Sequence, residues 1–285
     1  METKKENKVK TVFGAVGIAL LYLLIQLVVS IIASIIISVS VPRESMDNEA
    51  LTAFVMSYQP IMVFVSNLIG TILFGIWYYL GYVKKDQLAG TYVPCLDKIC
   101  NINAIGFIVF SALTIGLFDR HVADLVMMLS PESGEYFHRI MAGVSDPTPI
   151  NLISMILLSS MGTAFAFPGI MMQNLKKTFG IAGCIIIPSI LLAIIMLNPV
   201  QSIYGIPFSL VMMFVSYKFS SAIPGMMIGI INNAGAVILN EILKKELPPA
   251  ISACFVVIFL GLSIFFYRRL PFSHKDESDI PSQSE

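Results

Sequence analysis

A stretch of about thirty consecutive residues near the N-terminus, residues 12–41, contains no charged side chain. A helix needs about 20 apolar residues to cross the hydrocarbon core of a bilayer, where every backbone polar group must be hydrogen-bonded within the protein. The stretch is also about twice as long as the apolar core of a secretory signal peptide. It therefore predicts a membrane-spanning helix rather than a cleaved leader.

The whole chain has the composition of a membrane protein. Of its 285 residues, 56% are apolar and 13% are charged, whereas soluble domains contain about 25% charged residues. The 18 basic and 18 acidic residues balance, which excludes the basic surface typical of nucleic-acid binding. The four cysteines lack the spacing of a zinc site or a disulfide framework and are interpreted as isolated thiols. We predict an all-α, polytopic membrane helix bundle.

Apolar runs long enough to cross a bilayer predict about eight spans, with seven as the alternative. The third predicted span is short, and the sixth is interrupted by Pro207. The region from residue 119 to 149 is predicted to be an external segment, with an apolar part at 122–129 that could lie on the membrane surface. The polar tail from residue 273 to 285 is predicted to be disordered. The eight predicted spans are residues 12–40, 53–83, 102–118, 150–175, 181–197, 203–218, 224–243 and 250–267.

Basic residues accumulate on the cytoplasmic side of membrane proteins, and they orient the predicted spans. Eight spans with a cytoplasmic N-terminus place 13 basic residues on the cytoplasmic side and 5 on the other. Seven spans would put Arg268 and Arg269 outside and weaken this asymmetry. We therefore expect a multi-pass membrane protein with both termini in the cytoplasm.

The predicted spans contain almost no ionisable side chains. A charge at bilayer depth costs at least about 2.5 kcal/mol, so such residues are candidates for function. All three histidines fall in predicted loops or the tail. The polar residues that remain in the core are uncharged and are interpreted as hydrogen-bonding groups between helices: Thr163, Asn198, Gln201, Asn232 and Asn233. No metal ligands or cofactor-binding residues are predicted.

Three short motifs nevertheless follow one another in residues 150–237. The first is Thr-Ala-Phe-Ala-Phe-Pro-Gly at 163–169, the second is Leu-Asn-Pro at 197–199, and the third combines Pro-Gly at 224–225 with Asn-Asn at 232–233. In order and spacing they resemble the core of the CAAX protease and bacteriocin-processing (Abi) family of intramembrane endopeptidases. That family has the motifs Glu-Glu-x-x-x-Arg, Phe-x-x-x-His and His-x-x-x-Asn on successive helices.

The resemblance implies a degenerate member of this family. Thr163 and Ala164 stand at the two glutamate positions, Pro168 at the arginine position, and Met196 and Gly229 at the two histidine positions. Only the asparagine, Asn233, remains. Neither Ala, Met nor Gly acts as a general base or a hard-metal ligand. We therefore predict no catalytic residues and no metal, and we interpret these six residues as vestigial active-site positions.

The resulting hypothesis is a catalytically inactive adaptor or regulator that binds another membrane or envelope protein. The resemblance implies a place in the bacterial plasma membrane and a role in cell-envelope processes or bacteriocin self-immunity. An active endopeptidase and a transporter or permease subunit are the alternatives. The predicted organisation has N-terminal helices and loops at 1–149, a family-like core at 150–237, and a last span with a cytoplasmic tail at 238–285.

Overall fold

The computed structural model describes residues 7–40, 54, 57–142, 148–239 and 248–271. These ranges contain ten helices and no strand. The predicted tail at 273–285 lies outside the described residues, as does the end of the seventh predicted span. The helices are α1 (Lys8–Ser40), α2 (Gln59–Leu88), α3 (Cys95–Ile99), α4 (Ile102–Leu129), α5 (Pro131–Ala142), α6 (Pro149–Leu175), α7 (Ile181–Ile195), α8 (Pro199–Phe219), α9 (Ala222–Val237) and α10 (Pro249–Arg268).

The prediction of an all-α polytopic bundle is confirmed. Six helices are long and apolar enough to cross a membrane, namely α1, α2, α4, α6, α8 and α10. The two other predicted spans coincide with the shorter apolar helices α7, of 15 residues, and α9, of 16 residues. Only residues 176–180, 196–198 and 220–221 separate α6, α7, α8 and α9, so each of these helices begins at the end of the bundle where the previous one finishes.

Helix α4 differs from its prediction. The third span was expected to end at residue 118, with 122–129 on the membrane surface, and this is wrong, because α4 continues without interruption to Leu129. The side chain of Asn101 caps its first turn by accepting a hydrogen bond from the Asn103 backbone N–H at 2.9 Å. No proline occurs between this cap and Pro131, so the charged residues at 119–121 do not break the helix.

Helix α6 contains two π-helical segments, Ile153–Leu158 and Phe165–Met171. The second includes Pro168, which has no backbone N–H to donate within the helix. A π-helical segment is a common way for a helix to accommodate such an irregularity, and these segments are frequent at functional sites. The distortion expected at Pro168 therefore takes the form of a local change in helical pitch.

Both ends of the described chain lie at the same end of the bundle. The Lys8 ammonium is 6.0 Å from the centre of the Phe179 ring, at the start of α7. Nearby, Lys176 is 4.7 Å from the Tyr217 ring centre, and Lys218 is 5.9 Å from that of Tyr267, at the end of α10. We call this the basic end of the bundle and the other one the outer end.

The two ends differ strongly in charge. Among the described residues, the basic end has ten basic and two acidic residues, for a formal charge of +8. The outer end has two basic and four acidic residues, for a formal charge of −2. Lys98 donates to the Phe219 carbonyl oxygen at 3.3 Å and Lys176 to the Ser220 hydroxyl at 3.4 Å, at the C-terminus of α8. Burial lowers the pKa of Lys176, and the neighbouring charge of Lys98 lowers it further.

The hydrophobic core is built around α6 and α8. One cluster joins α1, α2, α6, α7 and α8, and a second joins α3, α4, α8 and α9 with Leu270. Helix α1 contributes only its first half to this core, through Ala15, Ile18, Ala19 and Tyr22. Beyond Tyr22 most of its large apolar side chains are exposed. The outer half of α1 therefore stands away from the bundle.

Candidate functional site

Two of the six vestigial positions meet where α9 crosses α6. The Asn233 side-chain amide donates to the Met155 carbonyl oxygen at 2.8 Å and to the Ser160 hydroxyl at 3.1 Å. A β-carbon added to Gly229, one turn earlier on α9, would lie 3.0 Å from the Ser160 side chain. Gly229 thus allows close approach of the two helices, and Asn233 joins them by hydrogen bonds.

Thr163 has a different neighbour. Its hydroxyl is 3.2 Å from the Tyr22 hydroxyl of α1. The Tyr22 ring packs against Phe74 and Phe167, at centroid distances of 5.7 and 5.8 Å. Thr163 therefore fixes α1 to α6 at the last turn where α1 belongs to the core.

The remaining three positions are apolar and make packing contacts. Ala164 is fully buried, and Pro168 is buried inside the second π-helical segment. The Met196 sulfur packs against Gly205 of α8, because a β-carbon built there would be 2.9 Å from it. The structure therefore brings Gly229 and Asn233 together at Ser160, whereas Thr163 and Met196 contact other elements.

No protein-family model, curated protein or solved structure matches this chain. The resemblance to the CAAX protease and bacteriocin-processing family stays a prediction that rests on the motifs alone.

A second set of polar contacts joins α2 to α6. The Asn67 amide donates to the Ser154 hydroxyl at 3.1 Å, and the Thr71 hydroxyl donates to the Leu158 carbonyl oxygen at 2.8 Å. Next to them lies a cavity of about 10 Å³ lined by Tyr22, Gln26, Ser66 and Asn67, among others. This volume is close to the minimum of about 10–15 Å³ that one water molecule requires.

Asp119 is the functional candidate that the sequence reasoning missed. It was placed in an external segment, whereas the structure places it inside α4. Its side chain is only 5% exposed, and neither carboxylate oxygen has a hydrogen-bond partner among the described residues. An ionisable group buried within a membrane helix is by default a candidate for function.

The depth of Asp119 follows from the pairing of α4 with α10. The Ser111 hydroxyl of α4 is 2.7 Å from the Ser263 hydroxyl of α10, and the two helices are antiparallel. Asp119 lies eight residues beyond Ser111, at the level of Phe255, which is six residues inside the first residue of α10. At about 1.5 Å per residue this is roughly 9 Å below the outer end of α10.

The surroundings of Asp119 are polar on one side. Tyr204 of α8 lies close enough to Asp119 for the two groups to interact electrostatically. The Asn198 side-chain oxygen caps α8 by accepting from the Val200 and Gln201 N–H groups at 3.0 and 3.2 Å, while its amide nitrogen is buried without a hydrogen-bond partner. In the part of the chain that the structure describes, His, Cys, Asp and Glu form no group of three.

Proposed function

We propose that the protein is a non-enzymatic membrane adaptor or regulator that binds a transmembrane helix of another membrane protein. The observation that supports this most is a groove between the outer halves of α1 and α2. The groove has a volume of about 390 Å³, and its walls are apolar except for the Tyr58 hydroxyl. It is lined by Val29, Ile32, Ala33, Ile36, Phe54, Tyr58, Ile61, Met62, Val65 and Ile69.

The groove exists because α1 leaves the core after Tyr22. Beyond Tyr22 the Leu24, Leu27 and Ile31 side chains of α1 are exposed, and the groove lies between this part of α1 and the first half of α2. A third helix can fill a gap between two helices by inserting the side chains of one face, at positions i, i+3, i+4 and i+7. The walls contain no charged residue, so the complementary surface is apolar. Ala33 on α1 leaves room for close approach, as small residues do in membrane interfaces.

The six vestigial positions support the non-enzymatic part of this proposal. Ala164, Pro168, Met196 and Gly229 supply neither a general base nor a hard-metal ligand. Thr163 and Asn233 have hydrogen-bonding side chains. The Thr163 hydroxyl contacts the Tyr22 hydroxyl, and the Asn233 amide donates to the Met155 carbonyl oxygen and the Ser160 hydroxyl. The family resemblance then suggests a partner in the bacterial cell envelope.

Photo-crosslinking in native membranes tests the groove. A benzophenone amino acid replaces Ile32 or Ile61 in the groove, and Val257 serves as the control because it is 69% exposed on α10. We expect a discrete crosslinked protein from the groove positions and none from Val257. Ala33→Trp should fill the groove and abolish the crosslink. Crosslinks to lipid alone at Ile32 and Ile61 would contradict the proposal.

The proposal also places the basic end of the bundle in the cytoplasm of a bacterium. The charges of +8 and −2 at the two ends support this orientation, because basic residues accumulate on the cytoplasmic side. Cys100 is exposed at the basic end, whereas Cys95 is buried and burial raises the pKa of its thiol. A membrane-impermeant maleimide should label Cys100 only in opened cells and leave Cys95 unmodified. Labelling of Cys100 in intact cells would reverse the orientation.

A transporter or permease subunit is the second candidate function, and Asp119 is the observation that favours it. Buried carboxylates in membrane helices frequently belong to ion and proton pathways. In a transporter Asp119→Asn would stop substrate movement in reconstituted vesicles, whereas Ala33→Trp would leave it intact. In an adaptor, Ala33→Trp would abolish the crosslink to the partner, whereas Asp119→Asn would leave that crosslink intact.

A further inference from the structure

The carboxyl group of Asp119 faces few charged groups. From α8, Tyr204 is the ionisable neighbour. Helix α9 has no ionisable residue, and its Asn232 side chain meets Gly116, one turn before Asp119. The outer half of α10 has only Cys254, which is exposed, and α3 lies at the basic end. On α5 the ionisable residues are exposed, namely Glu132, Glu135, Tyr136, His138 and Arg139.

The neighbours of Asp119 on its own helix point elsewhere. Arg120 and His121 are one and two residues away, and side chains at these spacings do not face each other on a helix. Asp124 is exposed. The Asp119 carboxylate therefore has no compensating positive charge among the described residues around it.

Such a carboxyl group needs a positively charged ligand. A buried carboxylate without a partner is strongly disfavoured, so it must take up a proton or another cation. Ca²⁺ requires six to eight oxygen ligands and Mg²⁺ near-octahedral coordination. The described residues supply no cluster of three acidic, His or Cys side chains for such an ion. A proton requires only the carboxyl group itself.

Helix α5 covers this region from the outside. The Phe137 ring meets the Tyr204 ring edge-on, at a centroid distance of 6.4 Å and an interplanar angle of 86°. Gly134 packs against Met127 of α4, since a β-carbon added there would be 3.3 Å from the Met127 β-carbon. One face of α5 thus holds the outer ends of α4 and α8 together. Phe137 of α5 thus contacts the same tyrosine that lies near Asp119.

We infer that Asp119 is a proton-binding site whose deprotonation is coupled to displacement of α5 from the outer ends of α4 and α8. With the proton bound, the neutral carboxyl group remains buried beneath the Phe137–Tyr204 contact. When the proton leaves, the carboxylate must be hydrated, and hydration opens that contact. This inference does not depend on the groove between α1 and α2, and failure of either proposal leaves the other standing.

Dicyclohexylcarbodiimide, an apolar reagent for protonated carboxyl groups, tests the site in the unmodified protein. The protein is reconstituted in liposomes, treated between pH 5 and pH 9, and mapped by mass spectrometry. We expect modification of Asp119 at low pH that falls at least tenfold at high pH, and none at the exposed Asp124. Absence of modification at pH 5, or a yield that does not change with pH, would overturn the inference.

Hydrogen exchange tests the coupling to α5. After correction for intrinsic exchange, the amides of α5 should exchange faster as pH rises in the wild type. Asp119→Asn, which cannot ionise, should abolish this rise, whereas Asp124→Asn on the same helix should retain it. The same rise in Asp119→Asn, or no rise in the wild type, would refute the coupling. If Asp119→Asn fails to fold, carbodiimide-modified wild type takes its place and must lose the rise, and Asp119→Glu must retain it.

Discussion

Two regions of this bundle bury polar side chains in opposite ways. Where α9 crosses α6, Asn233 uses its amide on two acceptors, at 2.8 and 3.1 Å. At the outer end of α4, Asp119 is more deeply buried than the partly buried Asn233 but has no hydrogen-bond partner among the described residues. The hydrogen bonds of Asn233 stabilise the packing of α9 on α6. Burial of the Asp119 carboxyl group without a hydrogen bond destabilises the folded protein.

The difference shows that a polar residue within a motif and a buried polar residue without a partner need not be the same. The family resemblance directs attention to Asn233, whose contacts are those of an ordinary interhelical residue. The carboxyl group of Asp119, which has no hydrogen-bond partner among the described residues, lies outside every motif. An unpaired buried carboxyl group thus adds a candidate for function that the motifs do not include.

The strongest test of this contrast is replacement of Asp119 by an apolar residue of similar size. We expect Asp119→Val to raise the free energy of unfolding by about 1–3 kcal/mol, because it removes an unsatisfied buried polar group. Equilibrium unfolding in mixed micelles measures the change. The matched variant Asp124→Val, at an exposed position of the same helix, should change it by less than about 0.5 kcal/mol. Destabilisation by Asp119→Val would remove the contrast.

Gly229→Ala tests the packing of the other region. Its β-carbon would lie 3.0 Å from the Ser160 side chain and 3.5 Å from its α-carbon, so α9 and α6 would have to separate. We expect the free energy of unfolding to fall by roughly 1–2 kcal/mol. Gly235→Ala on the same helix meets nothing within 4 Å and should not destabilise. Restoration of stability by Ser160→Gly would identify the contact responsible.

Asn233→Ala tests the hydrogen bonds of that region. Loss of both bonds should lower the free energy of unfolding by roughly 1 kcal/mol without abolishing the groove crosslink. Ser160→Ala removes one of the two bonds and should cost less. An unchanged stability together with a lost crosslink would instead make Asn233 a binding residue.

The smallest effect is expected where α1 joins α6. Tyr22→Phe keeps the ring contacts with Phe74 and Phe167 and removes only the hydroxyl that faces Thr163. The average interhelical hydrogen bond in a membrane contributes about 0.6 kcal/mol, and we expect a loss of that size. A double-mutant cycle with Thr163→Val measures the pair directly. A coupling of zero would show that packing alone holds α1.

The sequence predicted the helices well, since long apolar runs in a bilayer permit little else. It failed at the outer half of α4, because Asp119, Arg120 and His121 lower the local hydropathy without breaking the helix. The partners of Asn233 and Thr163 depend on how α1, α6 and α9 cross. No periodicity within one helix contains that information. Whether a buried carboxylate is satisfied depends on the same tertiary contacts.

The short helix α7 has a consequence for the lipids around the protein. Its 15 residues span about 22 Å at 1.5 Å per residue, whereas a typical hydrocarbon core is about 30 Å thick. Ile186, Ile190 and Ile194 are exposed along α7, so a bilayer of typical thickness must become thinner next to this helix. This thinning costs elastic energy. When bilayers of different thickness coexist, we therefore expect the protein to concentrate in the thinner one.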